Sequence, residues 1–145
     1  MNISFRQMKN SDRDVVLEMM RKFYHSTAVY TDGSEEIYRS DFDNSVNGSP
    51  YLEGYVITDD NCVVGYTMLA KSFSTEFGKE CIWLEDLYLK ENYRNMGIIP
   101  KFIDFVKNKY PDKLLRIEVE KENSHAVYVY EKNGFKKLPY SEYYC

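Results

Sequence analysis

The stretch Asn123–Phe135, NSHAVYVYEKNGF, is the most informative segment of the chain. Asn123 is a strong N-cap residue, Ala126 and Tyr130 stand one turn apart on one helix face, and Gly134 supplies the left-handed residue that ends helices. A short helix over 123–133 is therefore predicted. Upstream, Tyr93–Ile99 reads YRNMGII, between the apolar run Glu80–Leu89 and a helical periodicity carried by Ile98, Phe102, Phe105 and Val106. A strand–loop–helix junction with a glycine presents backbone N–H groups and the positive end of a helix dipole, which suits a pyrophosphate. Taken singly, each segment has an ordinary reading: a βα turn with Gly97 placed for its backbone freedom, and an amphipathic helix with a core tyrosine.

Outward from these segments the pattern continues. Residues 2–8 alternate apolar and polar as a half-buried strand does. Ser11, with Asp14 three residues on, is the expected cap of a helix whose stripe is Val15, Val16, Met19, Met20, Phe23 and Tyr24. Glu35–Val46 reads as a second helix, stopped by Asn47-Gly48-Ser49-Pro50. Tyr51–Thr58 and Cys62–Lys71 form a hairpin turned at Asp59-Asp60-Asn61. Cys81-Ile82-Trp83-Leu84 is apolar on both faces, as a central strand is. Leu114–Val119 is a further strand, and Phe135–Leu138 and Tyr140–Tyr144 are expected as closing strands. The sum is one α+β domain over 1–145, with a mixed, mostly antiparallel sheet and helices on both faces.

Composition narrows the class. At 145 residues and 17.2 kDa the chain has one domain's length. Nineteen Lys+Arg against 23 Asp+Glu give a formal charge of −4, which argues against nucleic acid or an anionic membrane as partner, since both require a basic face. Cys62, Cys81 and Cys145 show no zinc spacing, so no metal is expected, and free thiols point to the cytoplasm. Residues 1–14 lack the apolar stretch of a signal peptide, and no run is long enough to cross a membrane. His25 and His125 show no spacing that supports a dyad with a cysteine. Gly65 reads as a close-approach glycine.

Together the two segments resemble the GNAT superfamily of acyl-coenzyme A dependent N-acetyltransferases. Asn123, Ala126, Tyr130, Gly134 and Phe135 match the family pattern N-x-x-A-x-x-x-Y-x-x-x-G-F in full. Arg94-x-x-Gly97-x-Ile99 matches its R/Q-x-x-G-x-G/A loop, except that Ile99 replaces the last small residue and Pro100 follows. Leu84-Glu85-Asp86-Leu87-Tyr88-Leu89 looks like the family's central strand and is most similar to the diamine and polyamine branch. The resemblance covers nearly the whole chain. It implies a GNAT-like sheet with splayed central strands and acetyl-coenzyme A as co-substrate.

It also implies site roles. Arg94, Asn95, Met96, Gly97, Ile98 and Ile99 would hold the pyrophosphate, Leu87 and Leu89 would pair with the pantetheine arm through backbone groups, and Asn123 would contact the cofactor. Glu85 would act as base through one water and Tyr130 as acid toward the departing sulfur, while also lying against the cofactor. The amine would attack the thioester directly. Tyr30, Trp83, Glu85 and Asp86 are the expected acceptor-binding residues, with Tyr24, Tyr38 and Tyr143 as further cleft walls. The acids of Tyr30–Asp43 read either as an electrostatic guide for a cationic amine or as a solvated helix face. In a regular strand Glu85 and Asp86 point to opposite faces, and a bulge would overturn that. The expected acceptor is a small primary amine, with polyamines or diamines ranked first. A non-catalytic acyl-coenzyme A sensor or interaction module is the alternative, and a homodimer is compatible with the fold.

Overall fold

Five strands and four α-helices follow in the computed structural model, which describes residues 1–145: β1 (Ile3–Gln7), α1 (Arg13–Tyr24), α2 (Glu35–Val46), β2 (Leu52–Asp59), β3 (Cys62–Ser74), β4 (Lys79–Leu89), α3 (Ile98–Lys109), β5 (Leu114–Ile117) and α4 (Ser124–Lys132). The sheet order is β1-β2-β3-β4-β5. Every pairing is antiparallel except β4–β5, which is parallel. The β2–β3 hairpin turns through Asp60 and Asn61, both at positive φ (45° and 70°), the backbone that matches strand twist in a two-residue turn.

Helices cover both faces, as the apolar patterns require. On one face Val16, Met19, Met20 and Phe23 of α1 and Tyr38 and Phe42 of α2 pack on Val56, Tyr66, Met68 and Tyr88. On the other, Phe102, Ile103 and Val106 of α3 pack on Tyr55, Leu69, Ile82 and Leu84, with Tyr130 of α4 against them. Gly65 is a close-approach glycine, because a Cβ there would stand 2.5 Å from the Tyr88 carbonyl oxygen.

Three expectations are corrected. Ser11 does not cap α1. The Asp12 carboxylate accepts from the Lys9 N–H at 2.9 Å and pairs with Arg6, closing a 3-10 turn over Asn10–Asp12 ahead of the helix. β5 stops at Ile117 rather than Val119. The closing strands are absent, and residues 136–145 are irregular. Pro139 removes a ladder donor there, and Lys136 and Lys137 leave no apolar face to bury. β5 is therefore an edge strand, and the divergence lies between it and β4.

Candidate active site

β4 and β5 pair only from Cys81–Leu84 against Leu114–Ile117. Beyond that point β4 runs on to Leu89 with no strand on that edge, so a notch opens where the two strands part. A bulge sits at its mouth. In the β3–β4 register Leu69 faces Leu84 and Met68 faces Asp86, leaving Glu85 unpaired. The extra residue inverts the alternation along β4. Ile82 and Leu84 face α3, whereas Tyr88 packs with the α1–α2 layer and Asp86 reaches Tyr24 of α1. The opposite-face expectation for Glu85 and Asp86 therefore fails, and the negative charge of Asp41 on α2 acts on both.

The bulge also settles which amides face the notch. Lys90 N–H donates to the Val64 carbonyl of β3. Successive residues of an antiparallel strand alternate their hydrogen-bonding direction, so Tyr88 points the same way and Leu87 and Leu89 present theirs to the open edge. The Leu89 carbonyl accepts from Arg94 Nε at 3.0 Å. Arg94 is thus folded back on β4, its guanidinium 5.6 Å from the Tyr88 ring centroid, leaving its two terminal nitrogens without protein partners.

Below the notch, Asn95 (φ 60°) and Gly97 (φ 75°) both adopt left-handed backbone and lead into α3. None of the five successive amides from Asn95 to Ile99 donates to a protein acceptor. A Cβ at Gly97 would meet nothing within 4 Å, so the glycine serves conformation and leaves the approach open. Pro100 occupies the third helical position, where its missing N–H costs no helical hydrogen bond. The Ile99 side chain packs into the apolar layers beneath α3, which leaves its amide outward. This cradle of amides at a helix start fits a diphosphate.

Tyr130 lies half-buried over the α3 face, edge-to-face with Phe135 (centroids 6.1 Å apart), and its hydroxyl has no protein partner. Burial pushes its phenol up, so it stays a protonated donor. Asn123 caps α4, accepting from Ala126 N–H at 3.2 Å through Oδ1, which leaves its amide nitrogen free. Gly134 (φ 94°) ends the helix, and Phe135 N–H returns to the Tyr130 carbonyl.

Acids gather at the notch mouth. Glu85 is raised by burial and by the charges of Glu142 and Asp41. Glu118, just past β5, is raised by a hydrogen bond shared with Glu142, then by burial. Asp86, 5% exposed, is pushed to about 7 by burial, although Tyr66 hydroxyl (2.9 Å) and Tyr24 hydroxyl (3.2 Å) donate to it. Asp41 joins this cluster, while Glu35 and Asp43 of the same helix are spent on Arg21 and Arg13. Glu118, Glu142 and Tyr66 as partners of one site carry no local motif.

The aromatic expectations divide. Tyr24 reaches the cluster, but Tyr38 is buried at 2% exposure with its hydroxyl on the Asp32 carbonyl, so it is no cleft wall. Trp83 is half-buried, with Arg116 stacked 4.6 Å from its ring centroid. Tyr30 and Tyr143 are exposed, and the Tyr30 ring stands edge-on to the tail ring of Tyr144. The free cysteines stand apart from one another, Cys81 buried and the other two exposed. No helix is long and apolar enough to cross a membrane.

Known proteins share this architecture. The sequence profile described as "Acetyltransferase (GNAT) family" matches residues 16–135. The thialysine N-epsilon-acetyltransferase of Bos taurus is 30% identical over 97% of this chain and 88% of its own length. The uncharacterized N-acetyltransferase YhfO of Bacillus subtilis is 24% identical over 99% of this chain and 96% of its own. Among solved structures, a possible acetyltransferase from Clostridium difficile superposes with a TM-score of 0.84 at 20% identity, covering 100% of this chain and 97% of that one. The structure of AAC(6')-Iy in complex with a bisubstrate analogue, CoA-S-monomethyl-acetylneamine, gives 0.80 at 13% identity, covering 100% and 98%.

Proposed function

The chain belongs to the GNAT family of acetyltransferases, and on that premise we propose that it moves an acetyl group from acetyl-coenzyme A to a primary amine of a small, multiply cationic molecule of the diamine or polyamine kind. The observation that carries this reading is the notch itself. Free amides on one strand edge stand above an amide cradle, beside a cluster of acids. A thialysine N-epsilon-acetyltransferase among the relatives supports a small-molecule amine as the acceptor.

Coenzyme A supplies an acetyl group already activated as a thioester, so the protein's part is placement and proton handling. Backbone N–H groups of Asn95–Ile99 and the terminal nitrogens of Arg94 hold the diphosphate, with Asn123 supplying a further contact. Leu87 and Leu89 pair with the amide-bearing arm as an added strand does, and one of their N–H groups meets the negative charge that grows on the thioester oxygen. An alkyl ammonium has a pKa near 10 and cannot attack until it loses a proton. Glu85, at the bulge, takes that proton through an ordered water. Tyr130 donates to the departing sulfur. Asp86, Asp41 and Glu118 favour a cationic acceptor over a neutral one, and Tyr30 and Trp83 flank its entry.

Calorimetric titration with coenzyme A, followed by a thiol-release assay over a panel of amines, tests the proposal. Binding followed by release that depends on diamines or polyamines is expected. Binding without amine-dependent release would replace the enzyme with an acyl-coenzyme A sensor or docking module.

A further inference from the structure

Each largely buried carboxylate outside the notch has a cation. Asp12 holds Arg6 at 2.8 Å and Glu53 holds Lys71 at 2.8 Å. Asp86 has none. Its oxygens are served only by neutral hydroxyls, Tyr66 Oη at 2.9 Å and Tyr24 Oη at 3.2 and 3.3 Å. The groups that face it from the packed elements are Tyr24 of α1, Asp41 of α2, Tyr66 of β3 and Glu85 beside it on β4, with no positive charge among them. A buried charge with no counter-ion and two like charges nearby is costly. The cost falls when a cation enters the cluster, or when the carboxylate takes a proton.

Resting on the acetyl-transfer reading above, we propose that Asp86 is the proton store of the acceptor site, filled from Glu85 through the Tyr24 hydroxyl. Tyr24 hydrogen-bonds Asp86 and not Glu85, so the proton that Glu85 takes from the ammonium crosses one bridging water to the Tyr24 oxygen as the Tyr24 O–H bond breaks and a new O–H bond forms on Asp86. Tyr24 stays neutral throughout, Glu85 returns to carboxylate, Asp86 becomes a neutral acid, and the amine keeps its lone pair. While the ammonium is present its charge supports Asp86 as a carboxylate. Once that charge is neutralised, the carboxylate is left unsupported and accepts the proton. The value near 7 for Asp86 agrees with such exchange at neutral pH. Tyr66, fully buried, is a positioning residue that sets how readily the store fills.

Two measurements test this. Carboxyl-carbon NMR titration of the free protein is expected to show Asp86 titrating near neutrality, with Tyr66→Phe raising the midpoint by about one unit through the lost hydrogen bond. The pH profile of kcat/KM with 1,3-diaminopropane and the homologous longer diamines is expected to move its acidic limb upward by the same amount. Tyr24→Phe is expected to lower kcat roughly tenfold to a hundredfold with little change in amine KM. An Asp86 midpoint below pH 5, or a limb unmoved in both tyrosine variants of an active enzyme, would overturn the store alone. A wild-type protein that acetylates none of these amines would overturn the acetyl-transfer reading, and the store with it, whatever the titration shows.

Discussion

Glu53 on β2 and Asp86 on β4 are both largely withdrawn from solvent, and their surroundings push them in opposite directions. Burial raises both. At Glu53 it is outweighed by Lys71 and Tyr110, which donate to it, and by Lys109, so the carboxyl falls to about 2. At Asp86 two hydroxyls do not offset burial and the charges of Asp41 and Glu85, and the carboxyl stands near 7. The first group ties β2, β3 and the end of α3 together at the far end of the sheet from the notch. The second sits where β4 has left its partner. A carboxylate surrounded by cations is fixed in one protonation state and serves structure. One surrounded by hydroxyls and other acids is poised to change state near neutral pH, which suits the proton exchange proposed for Asp86.

Substitutions on the two sides should separate accordingly. Glu85→Gln is expected to cost the most activity, roughly 10²–10⁴-fold in kcat and more at low pH, where amine deprotonation is hardest, with little change in melting temperature. Tyr130→Phe should lower kcat about a hundredfold while leaving coenzyme A affinity unchanged in calorimetry. Glu53→Ala should do the reverse, destabilising the fold by about 2 kcal/mol in denaturant melts while the folded fraction keeps its kcat.

The pH dependence of stability sharpens the contrast. Glu53 is lowered from an ordinary value of 4.5, so its contribution is complete above that value and is lost as pH falls toward 2. Asp86 is raised from 3.8. The folded chain there holds a proton the unfolded chain has released, so stability declines as pH rises from about 4 toward 7. Melts across pH 3–8 should show the acid loss vanish in Glu53→Gln and the decline toward neutrality vanish in Asp86→Asn. The smallest expected effect is on salt dependence. Amine KM should rise several-fold between about 0.05 and 0.5 M salt, because the acid cluster acts on the acceptor partly at a distance.

Much of this arrangement was legible in the sequence where structure depends on local chemistry. Asn123 and Gly134 bracket α4 because a cap and a left-handed stop are decided within a few residues, and Gly48 (φ 77°) follows the end of α2 for the same reason. The tail was misread because strand propensity says nothing about whether a partner edge exists, and Pro139 with its lysine neighbours breaks the pattern. The Asp86 network was hidden for another reason. Tyr24 and Tyr66 lie 62 and 20 residues away, and only the inversion caused by the Glu85 bulge turns the carboxylate toward them. Charge at a site is a tertiary property, whereas an amide cradle is a local one.

The central claim is that the parting of β4 from β5 holds the coenzyme, and amide-resolved NMR during a coenzyme A titration tests it most directly. Saturable shifts are expected at Leu87, Leu89 and the amides from Asn95 to Ile99, with Glu53 and Lys71 at the far end of the sheet unmoved. Shifts confined to the far end, or amides of Asn95–Ile99 indifferent to saturating coenzyme A, would contradict it.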